Sequence, residues 1–95
     1  MKVIFSKSDS KNKKMTAVFY DGDKKVKTIH FGDSNGSSFV DHKNEQKKDA
    51  WIARHKVRGT FEKFDTASSL AKYILWNKTT IQSSIQDYKK RFNLS

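Results

Sequence analysis

Between Lys14 and Tyr20 apolar side chains recur at every second residue, whereas from about Asp41 onward they recur at every third or fourth. A period of two belongs to a strand lying on a half-buried sheet, and a period near 3.6 to an amphipathic helix. A chain that switches once from the first to the second builds its sheet first and its helices afterwards. In Lys14–Tyr20, Met15, Ala17 and Phe19 alternate with Thr16, Val18 and Tyr20. Asp21-Gly22-Asp23 then offers a glycine able to adopt positive φ ahead of a second run, Lys25–Phe31, so a hairpin is expected. Val26 is out of phase with Ile29 and Phe31, which calls for a bulge or a strand apolar on both sides. Val3, Ile4 and Phe5 form a shorter strand, separated from the hairpin by the polar stretch Ser6–Lys13.

Gly32–Ser38 reads as a loop, after which the helices begin. Asp41 is placed to cap a charged helix running to about Lys56, with Lys48, Trp51, Ile52 and His55 as a narrow stripe and Gly59 as its terminator. Thr66 opens a second helix, in which Ala67, Leu70, Ala71, Ile74 and Leu75 share a face and Asn77 is the stop. Thr79 or Thr80 caps a third, with Ile81, Ile85, Tyr88 and Phe92 inward and Lys89, Lys90 and Arg91 at the end where cations favour the helix dipole. The expected fold is α+β: an N-terminal antiparallel hairpin or three-stranded sheet packed against three C-terminal helices, in one domain over residues 1–95.

A chain of this length buries only about two-thirds of the surface it exposes unfolded, so its core must be rich in large side chains. Aromatics supply 13% of the residues, and Phe19, Phe31, Phe61 and Phe92 join Leu70, Ile74 and Ile85 as core candidates. Cysteine is absent, so packing alone must hold the fold. Proline is absent too, which leaves Gly22, Gly32, Gly36 and Gly59 to punctuate the chain. The apolar run at the N-terminus is too short for a signal peptide and no segment approaches the length of a membrane span, so an intracellular location is expected.

Lysine and arginine number 20 against 10 aspartates and glutamates, a formal net charge of +10. Such an excess is drawn to polyanions. The candidate phosphate contacts are Lys43, Lys47, Lys48, Arg54, Lys56 and Arg58 along and beyond the first helix, Lys24 and Lys25 at the hairpin tip, and Lys89, Lys90 and Arg91 near the C-terminus. Further lysines, Lys11, Lys13 and Lys14, lie in or near the first loop. Trp76 and Tyr20 are candidates for base stacking or a protein interface. Nothing in the spacing points to base-specific readout.

Enzymatic signatures are weak. Asp41-His42, Asn44 and His55 loosely resemble the ββα metal site of His-Asn-His nucleases, yet an intact helix would hold His42 and His55 roughly 20 Å apart. Asp41, Glu45 and Asp49 share a helix face but are interleaved with lysines and have no apolar pocket to raise a pKa. The glycines at 32 and 36 lack the Lys-Ser or Lys-Thr of a nucleotide loop. No catalytic residue, metal or cofactor is therefore expected.

From the third strand onward the chain carries Thr28-Ile29-His30-Phe31-Gly32, His42-Lys43, Arg54-His55-Lys56, Thr66-Ala67, Ile74-Leu75-Trp76-Asn77-Lys78, Ser84-Ile85 and Lys90-Arg91-Phe92. In these it resembles a family of small proteins encoded by giant nucleocytoplasmic DNA viruses, with Ile74–Lys78 the most specific piece. That family commonly has proline where this chain has Thr79, and either residue suits a helix start. The resemblance implies a viral setting, in the cytoplasm or nucleus of the infected host or packaged in the virion, and no functional residue. The leading expectation is a non-enzymatic viral protein that binds nucleic acid, DNA ahead of RNA, through phosphate contacts. The alternative is a minor virion protein whose basic surface meets acidic viral proteins. Oligomeric state is left open by the sequence.

Overall fold

A computed structural model describes residues 1–33, 38–56, 61 and 63–95. Three strands, β1 (Lys2–Lys7), β2 (Lys13–Asp21) and β3 (Lys24–Asp33), form an antiparallel sheet in the order β1-β2-β3. Among the described residues four helices follow: α1 (Phe39–His42), α2 (Glu45–Lys56), α3 (Ala67–Leu70) and α4 (Ile81–Arg91), with α3 continuing directly into a π-helical turn at Ala71–Leu75. The molecule is thus α+β, a sheet followed by helices, as the change of period requires.

The hairpin turns at Gly22, whose φ of 64° is the backbone state a two-residue hairpin loop demands. Phe19 pairs with Lys27 and Tyr20 with Lys25, so Val26 is the extra residue of a bulge. That bulge brings Ile29 and Phe31 into register with Ala17 and Met15. The face so formed buries Val3, Ala17, Phe19 and Phe31 against Leu70, Tyr73, Ile74, Leu75 and Tyr88. Tyr88 is central. Its ring meets Phe5 edge-on at 5.7 Å, packs 5.2 Å from Phe92, and its hydroxyl donates to the Phe64 carbonyl at 2.7 Å. Burial raises its pKa.

The opposite sheet face carries cross-strand rows of a different character. Tyr20 lies between Lys2 and Lys25, and Thr16 between Ser6 and His30, with the Thr16 hydroxyl 2.8 Å from His30 Nδ1. At the β1 edge, Val3 N donates to the Ser95 carbonyl and Ser95 N to the Met1 carbonyl, so the last residue pairs with the first strand.

Several expectations need correction. β3 extends two residues past Phe31, to Asp33, so Gly32 belongs to a strand and not to a loop. The first helix is not continuous from Asp41. Lys43 takes a left-handed conformation (φ 56°) that ends α1, and Asn44 Oδ1 then accepts from Gln46 N and Lys47 N to start α2. Asp41 sits inside the first turn, its Oδ2 accepting from Ser38 N at 2.8 Å and Ser38 Oγ at 3.0 Å. The second helix ends at Leu75, before Asn77. Thr66 and Thr80 do cap α3 and α4, accepting from Ser69 N and Ser83 N. Gly36 and Gly59, read as punctuation, lie outside the described residues.

Candidate functional site

In α2 the half-buried residues are Lys48, Trp51, Ile52 and His55, the stripe given by helical spacing, and no residue of the helix is fully buried. Side chains rather than a deep apolar face therefore hold α2 in place. Trp51 stacks on Trp76, which follows the π-helical turn, with centroids 5.1 Å apart and planes 11° from parallel. One turn along, His55 stacks on Trp51 at 3.9 Å and 18°, and its Nδ1 donates to the Trp51 carbonyl at 2.9 Å. Phe61 approaches Trp51 at 6.4 Å. The result is a ladder of near-parallel rings, His55, Trp51 and Trp76.

A second latch lies beside it. Lys48 Nζ donates to the Asn77 carbonyl at 2.7 Å and stands 4.7 Å from the centroid of the Phe39 ring. His42 packs 5.3 Å from Trp76, its Nδ1 accepting from Asn44 N at 2.9 Å. That bond leaves the proton of the neutral ring on Nε2, which is buried and has no hydrogen-bond partner among the described residues.

Between the ladder, the end of the β2–β3 hairpin and α3 lies a cleft of about 420 Å³, within the size range of small-molecule sites. Phe31, Gly32, Ala71 and Leu75 line it together with Trp51, Trp76 and His55. Lys13, Lys14 and Arg54 also line it, against the single carboxylate of Asp33 among the described lining residues. Lys14 Nζ forms an ion pair with Asp41 at 3.0 Å. The Asp41 carboxyl is held below the usual aspartate range, first by the Ser38 backbone N–H and then by Lys14. Gly32 makes the close fit possible: at φ 82° it presents no Cβ, and one built there would stand 2.5 Å from Leu75 Cδ1.

The candidates named from sequence are distributed unevenly. Arg54 lines the cleft, and Trp76 forms a rung of its ring ladder. Lys43, Lys47 and Lys56 are exposed on or beside α2. Lys48, by contrast, has its ammonium committed inside the molecule. Lys24 and Lys25 are exposed at the far end of the hairpin, roughly 25 Å from Lys13 at the rise of an extended strand. Tyr20 is half-buried on the open sheet face. On α4, Lys89 is half-buried, Lys90 is exposed, and Arg91 bonds Asp87 at 3.4 Å while lying over the Tyr73 ring. Arg58 lies outside the described residues. Trp51 and His55 were legible only as a packing stripe. Their spacing of four residues is the signal that marks them as stacked neighbours.

Among the described residues no three His, Asp or Glu side chains converge as metal ligands, and no helix is long and apolar enough to cross a membrane. No curated protein and no solved structure matches the chain. The arrangement is that of a small basic α+β protein with an aromatic-walled cleft. A family model matches residues 3–55, more than half of the chain, and the protein belongs to that family, a family of unknown function (DUF5754). The match runs from β1 to His55, so it contains Lys13, Lys14, Trp51 and Arg54 and stops short of Trp76. It overlaps the resemblance noted from Thr28 onward and does not reach Ile74–Lys78.

Proposed function

We propose that the protein binds nucleic acid, mainly through phosphate contacts and without catalysing a reaction. The observation that supports this most is the meeting of cations from two distant parts of the chain, Lys13 on β2 and Arg54 on α2, around one aromatic-walled cleft. Lys47 and Arg54 lie at i and i+7 on α2, on the same side of the helix, and Lys47 is exposed. DNA is the leading ligand, and the resemblance to giant-virus proteins supports a setting in an infected cell or a viral particle.

A second reading, a virion protein that docks onto acidic proteins, is favoured by the exposure of Val26 at 47% beside Lys24 and Lys25. Apolar contact ringed by charge suits a protein partner better than a phosphate backbone.

Binding to labelled duplex DNA, single-stranded DNA and RNA across a salt series tests the proposal. Affinity should fall steeply with salt, and Arg54→Glu with Lys47→Glu should weaken binding and flatten that slope by about one unit per lost phosphate contact. Lys48→Glu is the wrong probe, because it would disrupt the latch to Asn77. Absence of binding to every nucleic acid at low salt refutes the proposal and turns the search to acidic protein partners.

A further inference from the structure

A phosphate-binding surface needs only exposed cations, and the cleft offers more than that. Its ring ladder has two kinds of end. Trp76 has His42 beside it, 5.3 Å away and tilted 59°. Beyond His55 no further ring is stacked among the described residues, and His55 lines the cleft. A planar group entering there could continue the ladder, with Leu75, Ala71 and Gly32 as apolar neighbours and Lys13 and Arg54 close by. We infer that the cleft seats one unpaired nucleotide of a single-stranded nucleic acid, its base stacked against His55 and its phosphate held by Arg54 and Lys13.

This rests on the nucleic-acid reading and narrows it to strand type. In a duplex the bases are already stacked and paired, so their flat faces are hidden and only the backbone can touch the rim of a concave site. An unpaired base has a free face, and stacking on protein rings is tolerant of which base it is because every base has one. The charge pattern agrees. Of the three lining cations Lys14 is already paired with Asp41, and Lys13 and Arg54 stand against the one described lining carboxylate, Asp33, opposite Lys13 across the strand pair, so the balance favours an anionic ligand by a single charge and the apolar floor favours one with a planar unsaturated body. His55 is oriented by its Nδ1–H bond to the Trp51 carbonyl, so the stacking surface is set before a ligand arrives.

The chain has two tryptophans, and both line this cleft, so intrinsic tryptophan emission reports its occupancy. Oligothymidylate of about 12 nucleotides, a length that suits a small single-strand site, is titrated against the whole protein, with duplex DNA of equal charge and thymidine monophosphate as the other arms. The expected result is a change in emission with the oligonucleotide and affinity about tenfold or more above that for duplex, the scale of one stacked base. The mononucleotide should need far higher concentrations. Ser68→Phe places a ring in the cleft from an exposed position of α3 without touching a charge or a packed contact. It should abolish the emission change and the preference for single strands, while weak salt-dependent duplex binding persists. Arg54→Glu, on an exposed residue, should weaken the oligonucleotide and the mononucleotide alike, and circular dichroism shows that either variant is folded.

Three outcomes overturn the inference alone: duplex bound as tightly as single strand with unchanged emission, a mononucleotide as tight as the oligonucleotide, or Ser68→Phe behaving like the parent. If no nucleic acid binds at low salt, both the inference and the reading beneath it fall.

Discussion

Replacing Trp51 by alanine should release α2 while the remainder of the protein stays folded. The reason lies in where the helix finds its stability. No residue of α2 is buried, and none belongs to the core built by Val3, Ala17, Phe19, Phe31, Leu70, Tyr73, Ile74, Leu75 and Tyr88. Among the described residues α2 is held by the stack of Trp51 on Trp76, the approach of Phe61 to Trp51, and Lys48, which bonds Asn77 and lies over the Phe39 ring. Truncating a fully buried tryptophan costs about 3–5 kcal/mol, and Trp51 is half-buried, so a loss of roughly 2 kcal/mol is expected. A free energy of that size shifts an equilibrium by up to about 30-fold. α2 is 12 residues long, and an isolated helix of that length is marginal in water, so once undocked it melts. Far-UV circular dichroism of Trp51→Ala should therefore lose the contribution of those residues. The thermal midpoint, followed through the tyrosine environment of the core, should move little, and emission from Trp76 should shift to the red as its covering ring departs. Full retention of ellipticity would show that the stack does not hold the helix. Cooperative loss of the whole fold at a much lower temperature would refute the reasoning differently, by placing α2 within the core's folding unit.

Gly32→Ala should destabilise by about 2–4 kcal/mol, combining the left-handed backbone cost with overpacking against Leu75 and offset slightly by reduced unfolded-state entropy. Gly22→Ala, at φ 64° with nothing within 4 Å of the new Cβ, should cost only the backbone part, and equal losses in denaturant titrations would remove the steric argument. Tyr88→Phe leaves the Phe64 carbonyl without its donor and should cost about 1–3 kcal/mol, seen as a lowered thermal midpoint; an unchanged midpoint would mean that water replaces the hydroxyl. Asp41 and Asp87 both have lowered pKa values, Asp41 chiefly through the Ser38 N–H and Asp87 chiefly through the Asn77 amide. Since the folded values lie below the ordinary 3.8, their stabilisation is complete above that pH and is lost as pH falls through the folded values. Acid unfolding of Asp87→Asn should accordingly be less steep in that window than that of the parent, and identical acid limbs would contradict the assignment.

Much of this architecture is local in origin. The alternation of Met15, Ala17 and Phe19 fixes which face of β2 turns inward, and the phase slip at Val26 marks the bulge that restores the register of β3. Thr66 and Thr80 cap their helices because a hydroxyl in an extended residue reaches the N–H three positions on. Where local reading went astray, a local competitor was overlooked. Lys43 adopts positive φ without being glycine, and Asn44 offers a better cap for α2 than Asp41, whose carboxylate is already engaged by Ser38 and Lys14. The resulting break turns one expected helix into α1 and α2.

By itself, then, the sequence determined a sheet-first α+β chain, the inward face of β2, the caps of α3 and α4 and the stripe of α2. Tertiary structure alone decided that Trp51 would meet Trp76, that Lys48 would be drawn inward to Asn77 and Phe39, and that Lys13 and Arg54 would border one cleft. The physical reason is the range of the forces involved. Periodicity and capping are set by neighbours within a turn or a strand pair, whereas the partner that a half-apolar face finds depends on shape and burial across the whole fold, which spacing along the chain does not record.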